Sequence, residues 1–121
     1  MLRDTLDIGL HVMDPATKAP VRATPHEFEA WRSKDKHRIK VEQAGKYVVS
    51  TIFLAFDHGF GGRPLWFETM AFPIEEGGDM EIGDLPASNA SEADGRRYET
   101  YAEALEGHDE MVAKYRDSAD D

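Results

Sequence analysis

Residues 47–56 read YVVSTIFLAF, and this run sets the architecture that the rest of the chain must fit. Nearly every side chain in it is apolar, without the apolar–polar alternation of a strand that has one face in water. A near-continuous apolar run of this length is typical of a strand buried on both faces. We therefore predict a central β-strand here.

Two further strands flank the central one along the chain. Residues 38–42, RIKVE, alternate charged and apolar side chains, which predicts a half-exposed strand. Residues 43–46, QAGK, then turn the chain, and residues 65–72, LWFETMAF, predict a third strand. Three consecutive strands with short connections most simply form an antiparallel meander.

The sequence also contains two helix start signals. Thr24 and Glu27 form a capping box with Pro25 at the first helical position, which predicts a helix ending near Lys36. A second capping box, T100-x-x-E103, precedes apolar residues that recur at helical spacing, so the last helix is expected to run until the tail frays at residues 117–121.

Shorter elements and one long loop complete the expected fold. Residues 8–13 and 96–98 predict short strands, whereas residues 74–95 carry seven acids, four glycines and no base. Such a segment cannot bury enough apolar surface to offset its ordering entropy, so we expect an acidic mobile loop. The prediction is one α+β domain over residues 1–121, with a mainly antiparallel sheet of three to five strands and two helices packed on it.

Composition restricts the class of function. The chain has 121 residues, no cysteine and a net charge of −10, so it offers no disulfide, no thiol nucleophile and no cysteine-based zinc site. No apolar run approaches the roughly 18 residues of a membrane span, and acids interrupt the N-terminal stretch where a signal peptide would be apolar. We expect a soluble cytoplasmic protein. The negative electrostatic field of such a protein repels nucleic acids and anionic membranes and attracts basic partners. Residues 32–40 nevertheless form a small basic patch.

Four residues could carry chemistry. Asp57 and His58 open a glycine-rich loop that lacks the lysine and Ser/Thr of a phosphate-binding loop, so a hairpin turn is preferred to an anion site. Glu68 has apolar neighbours and needs a partner, for which we name His58, Arg63, Arg96, Arg97, Ser50 and Thr51. His108 lies on the apolar stripe of the last helix and is expected in the core with one ring nitrogen bonded. A metal site would form only if His58 and His108 met Asp57 or Glu68.

Two stretches resemble the signature of a family of small uncharacterised phage and prophage proteins. Residues 49–61 and 65–72 are similar to VSTVFLxLDHxFG and LFETMVF, and residues 97–112 are similar to RYxTWEEAxxGHxxMV. The similarity covers roughly residues 37–113, with Arg63-Pro64 where relatives usually have two prolines and Trp66 in place of a leucine. It implies a mobile-element origin and no particular chemistry.

The preferred hypothesis is non-enzymatic binding to a basic host protein or protein complex in the cytoplasm of the host bacterium. An inhibitor of host defence, such as an anti-CRISPR protein, is one such role. No cofactor or metal is expected, and the alternatives are a small metal-assisted enzyme that uses Asp57, His58, Glu68 and His108, or a structural phage component. The expected partner-binding acids are Glu75, Glu76, Asp79, Glu81, Asp84, Glu103, Glu106 and Glu110.

Overall fold

A computed structural model of the chain describes residues 9–56, 62–74, 80–82, 85–87 and 94–118. It confirms an α+β fold. The elements in chain order are β1 His11–Met13, β2 Pro20–Arg22, α1 Pro25–Ser33, β3 Arg38–Ala44, β4 Tyr47–Phe53, β5 Phe67–Pro73, β6 Met80–Ile82, β7 Leu85–Ala87, β8 Asp94–Tyr98 and α2 Tyr101–Ser118.

The four-stranded sheet has the order β3-β4-β5-β8, and every neighbouring pair is antiparallel. β4 lies inside the sheet, where Thr51 stands opposite Lys40 on one side and Thr69 on the other. Val48, Val49 and Thr51 are fully buried, although they alternate between the two faces of the sheet. The predicted central strand and meander are therefore confirmed.

Helix α2 covers one face of this sheet. Val49 and Ala71 pack there with Met111 and Tyr115 of the helix, and Ala104 extends the same contact towards the first turn. Helix α1 lies at one end of the sheet, where Phe28 and Trp31 join the aromatic cluster around Phe53. The apolar spacing of each helix is what orients it, because those side chains lie on the side that meets the sheet.

Both predicted capping boxes form. The backbone N–H of Glu27 donates to Thr24 Oγ1 at 3.1 Å, and the Thr24 N–H donates to Glu27 Oε1 at 2.8 Å. Thr100 and Glu103 make the same exchange at 3.1 and 3.2 Å. Helix α1 ends at Ser33, three residues before the predicted end, because Asp35 turns the chain at a φ of 59°.

The expectation of a loop throughout residues 74–95 is wrong. Strands β6 and β7 pair antiparallel within it, and β8 begins at Asp94. Residues Met80-Glu81-Ile82 of β6 do alternate, but three residues are too few for that alternation to predict a strand. Asp94 is held in β8 because its carboxylate accepts from Lys114 Nζ at 2.8 Å and from Tyr115 Oη at 3.2 Å.

The N-terminal part of the fold also differs from the prediction. The strand predicted over residues 8–13 is confined to β1 in the described chain, and it pairs with β2, which the sequence did not predict. Asp14 closes this small hairpin, because its Oδ1 accepts from the N–H groups of Ala16 and Thr17 at 2.8 Å each. The hairpin joins the rest of the fold through the His11 N–H, which donates to the Ala55 carbonyl at 2.9 Å.

Two expectations concern the ends of the molecule and its relation to membranes. Helix α2 continues to Ser118, so residues 117 and 118 are helical where a frayed tail was predicted, and residues 119–121 lie outside the described residues. Within the part of the chain that the structure describes, no helix has both the length and the apolar composition needed to cross a bilayer.

Candidate functional site

The structure does not bring Glu68 and His108 together. Thr69 stands opposite Thr51 in the sheet, and Thr51 bonds His108 of α2, so these side chains share the face under the helix. Glu68 is the next residue along β5, and successive side chains of a strand point to opposite faces. Glu68 is therefore on the far face. Asp57 and His58 lie outside the described residues, and their predicted roles stay predictions.

His108 lies in a buried polar network with both ring nitrogens bonded. Its Nε2 is 2.9 Å from Glu42 Oε1, and its Nδ1 is 2.7 Å from Thr51 Oγ1. Thr51 Oγ1 is in turn 2.5 Å from Thr69 Oγ1. A neutral imidazole satisfies every group, donating from Nε2 to the carboxylate and accepting at Nδ1. We had expected one bonded nitrogen; the second bond ties α2 to β3.

Burial fixes the charge state of this histidine. His108 is 0% exposed, and removal from water lowers its pKa, an effect that the neighbouring Glu42 carboxylate only partly offsets. The imidazole is therefore neutral near pH 7. Thr51 and Thr69 are also fully buried, so no solvent path leads to either hydroxyl.

The carboxylate, imidazole and hydroxyl of this network are connected in the same order as in a catalytic triad. Unlike in a triad, the hydroxyl is not accessible to a substrate. A nucleophilic hydroxyl must reach the substrate, whereas Thr51 Oγ1 is closed off by Thr69 and α2. A metal at His108 would have to displace a protein hydrogen bond. Among the described residues, no group of three His, Asp or Glu side chains could hold a metal ion. The arrangement serves to position α2 on the sheet.

Glu68 forms an ion pair, as predicted from its apolar neighbours. Its Oε2 lies 3.0 Å from Nε of Arg97, the residue opposite it in β8. The Glu68 side chain is 15% exposed and the Arg97 side chain 40% exposed, so the pair lies at the surface of the far face. Arg63, also named as a candidate partner, instead contacts Glu99 at 2.8 Å and Glu103 at 3.2 Å.

The expected acidic face divides into three groups. Glu75, Glu76, Asp79 and Asp84 lie outside the described residues, and Glu81 lies in β6. On α2, Glu103 is paired with Arg63, and Glu110 is 3.8 Å from Arg96. Glu106 is exposed and makes no ion pair with any described residue. Asp109, which the sequence analysis did not name, is exposed next to it and contacts Lys40 at 3.1 Å.

The face of the sheet opposite α2 contains a pocket of about 370 Å³. Side chains of β4 and β5 form its floor, α1 forms one wall, and the turn after α1 closes it. The lining residues are Phe28, Arg32, His37, Arg38, Ser50, Ile52, Phe53, Leu54, Ala55, Met70 and Phe72. Apolar atoms provide most of this surface, and the cationic groups are concentrated where α1 meets β3.

His37 is the most buried charged or titratable group of the pocket. It is 8% exposed, its Nε2 is 3.7 Å from Asp35 Oδ1, and its Nδ1 has no hydrogen-bond partner among the described residues. Burial lowers the pKa of His37, Arg32 and Arg38 lower it further, and Asp35 opposes them. The imidazole is therefore neutral near pH 7, and the two arginines supply the positive charge of the pocket.

Sequence reasoning noticed the basic patch but missed the pocket. The arginines and the histidine of residues 32–38, RSKDKHR, were visible as a basic stretch in an acidic chain. The apolar floor comes from β4 and β5, far along the chain. Only the fold places these two sets of side chains around one cavity.

Comparisons of the chain with models of protein families, with curated proteins and with solved structures give no match. The resemblance to phage proteins therefore stays a prediction, and the functional argument depends on the geometry.

Proposed function

We propose that the protein acts by non-enzymatic binding, with the outer side of α2 contacting a basic surface on a partner protein. The observation that carries this proposal is the row of exposed acids on that helix. Glu106, Asp109, Glu110 and Asp117 are spaced three, one and seven residues apart, so they lie on one side of the helix, away from the sheet.

The acids on this row remain available for a partner. Asp109 and Glu110 contact Lys40 and Arg96 in pairs whose four side chains are between 41% and 69% exposed. Exposed ion pairs of this kind contribute about 0–1 kcal/mol, so exchanging them for a partner's cations costs little. Glu106 has no such pair to exchange and is the expected centre of the contact.

Binding is a better account than catalysis for the described residues. The imidazole of His108 and the hydroxyl of Thr51 are sealed under α2, and Glu68 is engaged by Arg97 on the other face. Binding through the exposed acids of a rigid helix requires no mobile or reactive group. It also loses little conformational entropy when it docks, since its backbone is already ordered.

The resemblance in the sequence extends the proposal to a biological setting. The partner would be a host protein or protein complex in the bacterial cytoplasm, and an inhibitor of a defence system such as CRISPR is the role that we put forward. In that case the acids of α2 would occupy a groove that normally holds a polyanion.

The test begins with the capture of a partner from a lysate of the host bacterium and measurement of its affinity at two salt concentrations. Screening acts within about 8 Å at physiological ionic strength, so the parent protein should bind less tightly as salt rises. Glu106→Lys should weaken binding, mainly through the association rate.

Glu29→Lys is the matched control for Glu106→Lys. Glu29 is an exposed acid on α1 that makes no ion pair with any described residue, and its reversal changes the net charge by the same amount. An equal loss in both variants would mean that only net charge matters. No loss in either would contradict the proposal.

A further inference from the structure

The pocket on the far face combines an apolar floor with a concentration of positive charge that is unusual in this chain. The protein carries a net charge of −10, yet Arg32 and Arg38 converge on a cavity floored by Ile52, Met70 and Phe72. We infer that this pocket binds a small organic acid, with its anionic head group at the arginines and its apolar body on the sheet.

The head group would be recognised by Arg38. Its Nη1 donates to Ser50 Oγ at 3.2 Å, which fixes the guanidinium over β4, while Nε is 3.4 Å from Asp35 Oδ2. That contact with Asp35 is long, and the Asp35 side chain is 63% exposed, so the carboxylate competes only weakly for the guanidinium. A guanidinium held in place by a neighbour suits two-point recognition of a carboxylate.

Arg32 and His37 add to the same end of the pocket. Arg32 extends from α1 and makes no ion pair with any described residue, so its charge is available to an incoming anion. His37 carries a buried Nδ1 without a hydrogen-bond partner among those residues. Buried polar atoms are nearly always bonded, so this nitrogen is unused binding capacity beside the arginines.

The body of the ligand is limited by volume and by polarity. The cavity of about 370 Å³ is at the small end of the ~300–1,000 Å³ range of ligand pockets. Phe28 and Ile52 provide apolar walls, which favour one aromatic ring or a short aliphatic chain and offer nothing to the polar groups of a nucleotide or sugar. The predicted class is therefore an aryl or alkyl carboxylate.

The backbone around the pocket supports a binding role. Ala55 lines the pocket with a φ of 66°, and Asp35, beside His37, has a φ of 59°. Alanine adopts this left-handed region only at an energetic cost, and such residues cluster at ligand sites. The pocket and α2 lie on opposite faces of the sheet, so this inference does not depend on the proposed function.

The experiment is a ¹⁵N–¹H NMR titration of the protein with hexanoate and with 3-phenylpropanoate, compared with neutral 3-phenylpropanamide and with acetate. The two larger acids should saturate, with shifts at the pocket residues, and should bind at least about 10-fold more tightly than the amide or acetate. Trp31 offers a second readout by fluorescence, because its ring centroid is 6.3 Å from that of His37.

Two variants and a control locate the head group. Arg38→Gln should weaken phenylpropanoate binding about 10-fold and Arg32→Gln by less, whereas Lys34→Gln, at the exposed end of α1 and outside the pocket, should leave it unchanged. A bound anion should also raise the pKa of His37, which faces Arg32 from α1, Arg38 from β3 and Asp35 from the turn, so affinity should increase as the pH falls below about 6.5.

Five outcomes would overturn the inference. The first four are the absence of saturation by either larger acid up to about 10 mM, which would leave only very weak binding, equal affinity for acid and amide, unchanged affinity in Arg38→Gln, and shifts confined to α2. A peptide ending in a phenylalanine carboxylate that binds while both small acids fail would assign the pocket to a chain terminus and would also overturn it.

Discussion

The two faces of the four-stranded sheet each bury one histidine, and the two rings differ in what they contact. Under α2, both nitrogens of His108 are bonded, to Thr51 and to Glu42. On the pocket face, His37 leaves Nδ1 without a partner among the described residues, and its Nε2 is 3.7 Å from a carboxylate. Burial lowers the pKa of both, so burial alone does not separate structural from functional histidines.

What separates the two histidines is the satisfaction of polar atoms. A closed network stabilises one arrangement of a core, whereas an unsatisfied group leaves a contact for something outside the protein. His108 therefore helps to specify the fold, whereas His37 retains a ring nitrogen that a ligand could bond. Each of the following experiments compares the two faces.

The largest difference is expected from removing each imidazole. His108→Ala should lower the free energy of unfolding by about 3–4 kcal/mol, because it leaves a cavity and removes the hydrogen bonds of the ring to Thr51 and Glu42. His37→Ala should cost about 1–2 kcal/mol, since only packing is lost there. Urea denaturation of both variants measures the difference. Equal losses would mean that His37 has a structural partner of its own.

Gly107→Ala tests how closely α2 approaches the sheet. A Cβ at this position would collide with the ring end of Tyr98. Overpacking costs about 1–3 kcal/mol, and the better helix propensity of alanine returns up to about 1 kcal/mol, so we expect a net loss of about 1 kcal/mol. Thermal unfolding measures it. Tyr98→Phe removes the nearest atom and should restore part of the loss in the double variant.

Acidification tests the two histidines together. Burial holds their folded-state pKa values below the ordinary histidine value of about 6.5, so the unfolded chain binds more protons, and stability should fall as pH decreases below about 6.5. Each unit of depression is worth about 1.4 kcal/mol. Denaturation at several pH values should give a shallower fall in His37→Gln than in the parent.

The smallest effect is expected at Glu68. Glu68→Gln keeps the shape of the side chain and removes one charge of the pair with Arg97. Because the Arg97 side chain is 40% exposed, we expect a loss of about 0.5–1 kcal/mol. A double-mutant cycle with Arg97→Gln isolates the pair. A coupling above about 2 kcal/mol would show that the far face is drier than the structure indicates.

Features formed by residues close together in the sequence could be predicted from it. Features formed by residues that only the fold brings together could not. Thr24 with Glu27, and Thr100 with Glu103, form their boxes across three residues, so the sequence contains the whole interaction. The strands β2, β6 and β7 are only three residues long, too short for a period to stand out. Their existence depends on pairing, which a local pattern does not reveal.

The candidate sites follow the same rule. The apolar neighbours of Glu68 predict that its carboxylate needs a partner. Only the register of β5 and β8 identifies Arg97 as that partner among the candidate cations. His108 bonds Thr51, which lies 57 positions earlier in the chain, and Glu42, which lies 66 positions earlier. No local sequence pattern predicts contacts at such separations. The pocket draws on four elements, α1, β3, β4 and β5, so the basic run at residues 32–38 could not by itself be distinguished from a solvated surface.

The strand order β3-β4-β5-β8 has a consequence for how copies of this protein meet in concentrated solution. It leaves β3 and β8 at the two rims, where Arg38 and Lys40 on one side and Arg96 and Arg97 on the other carry positive charge. Exposed strand rims are templates for aggregation, and cations along them are a common protection. A strand from a second molecule could pair with either rim only if these long side chains gave up their water and exposed ion pairs, such as those of Lys40 with Asp109 and Arg96 with Glu110, which disfavours fibril-like stacking.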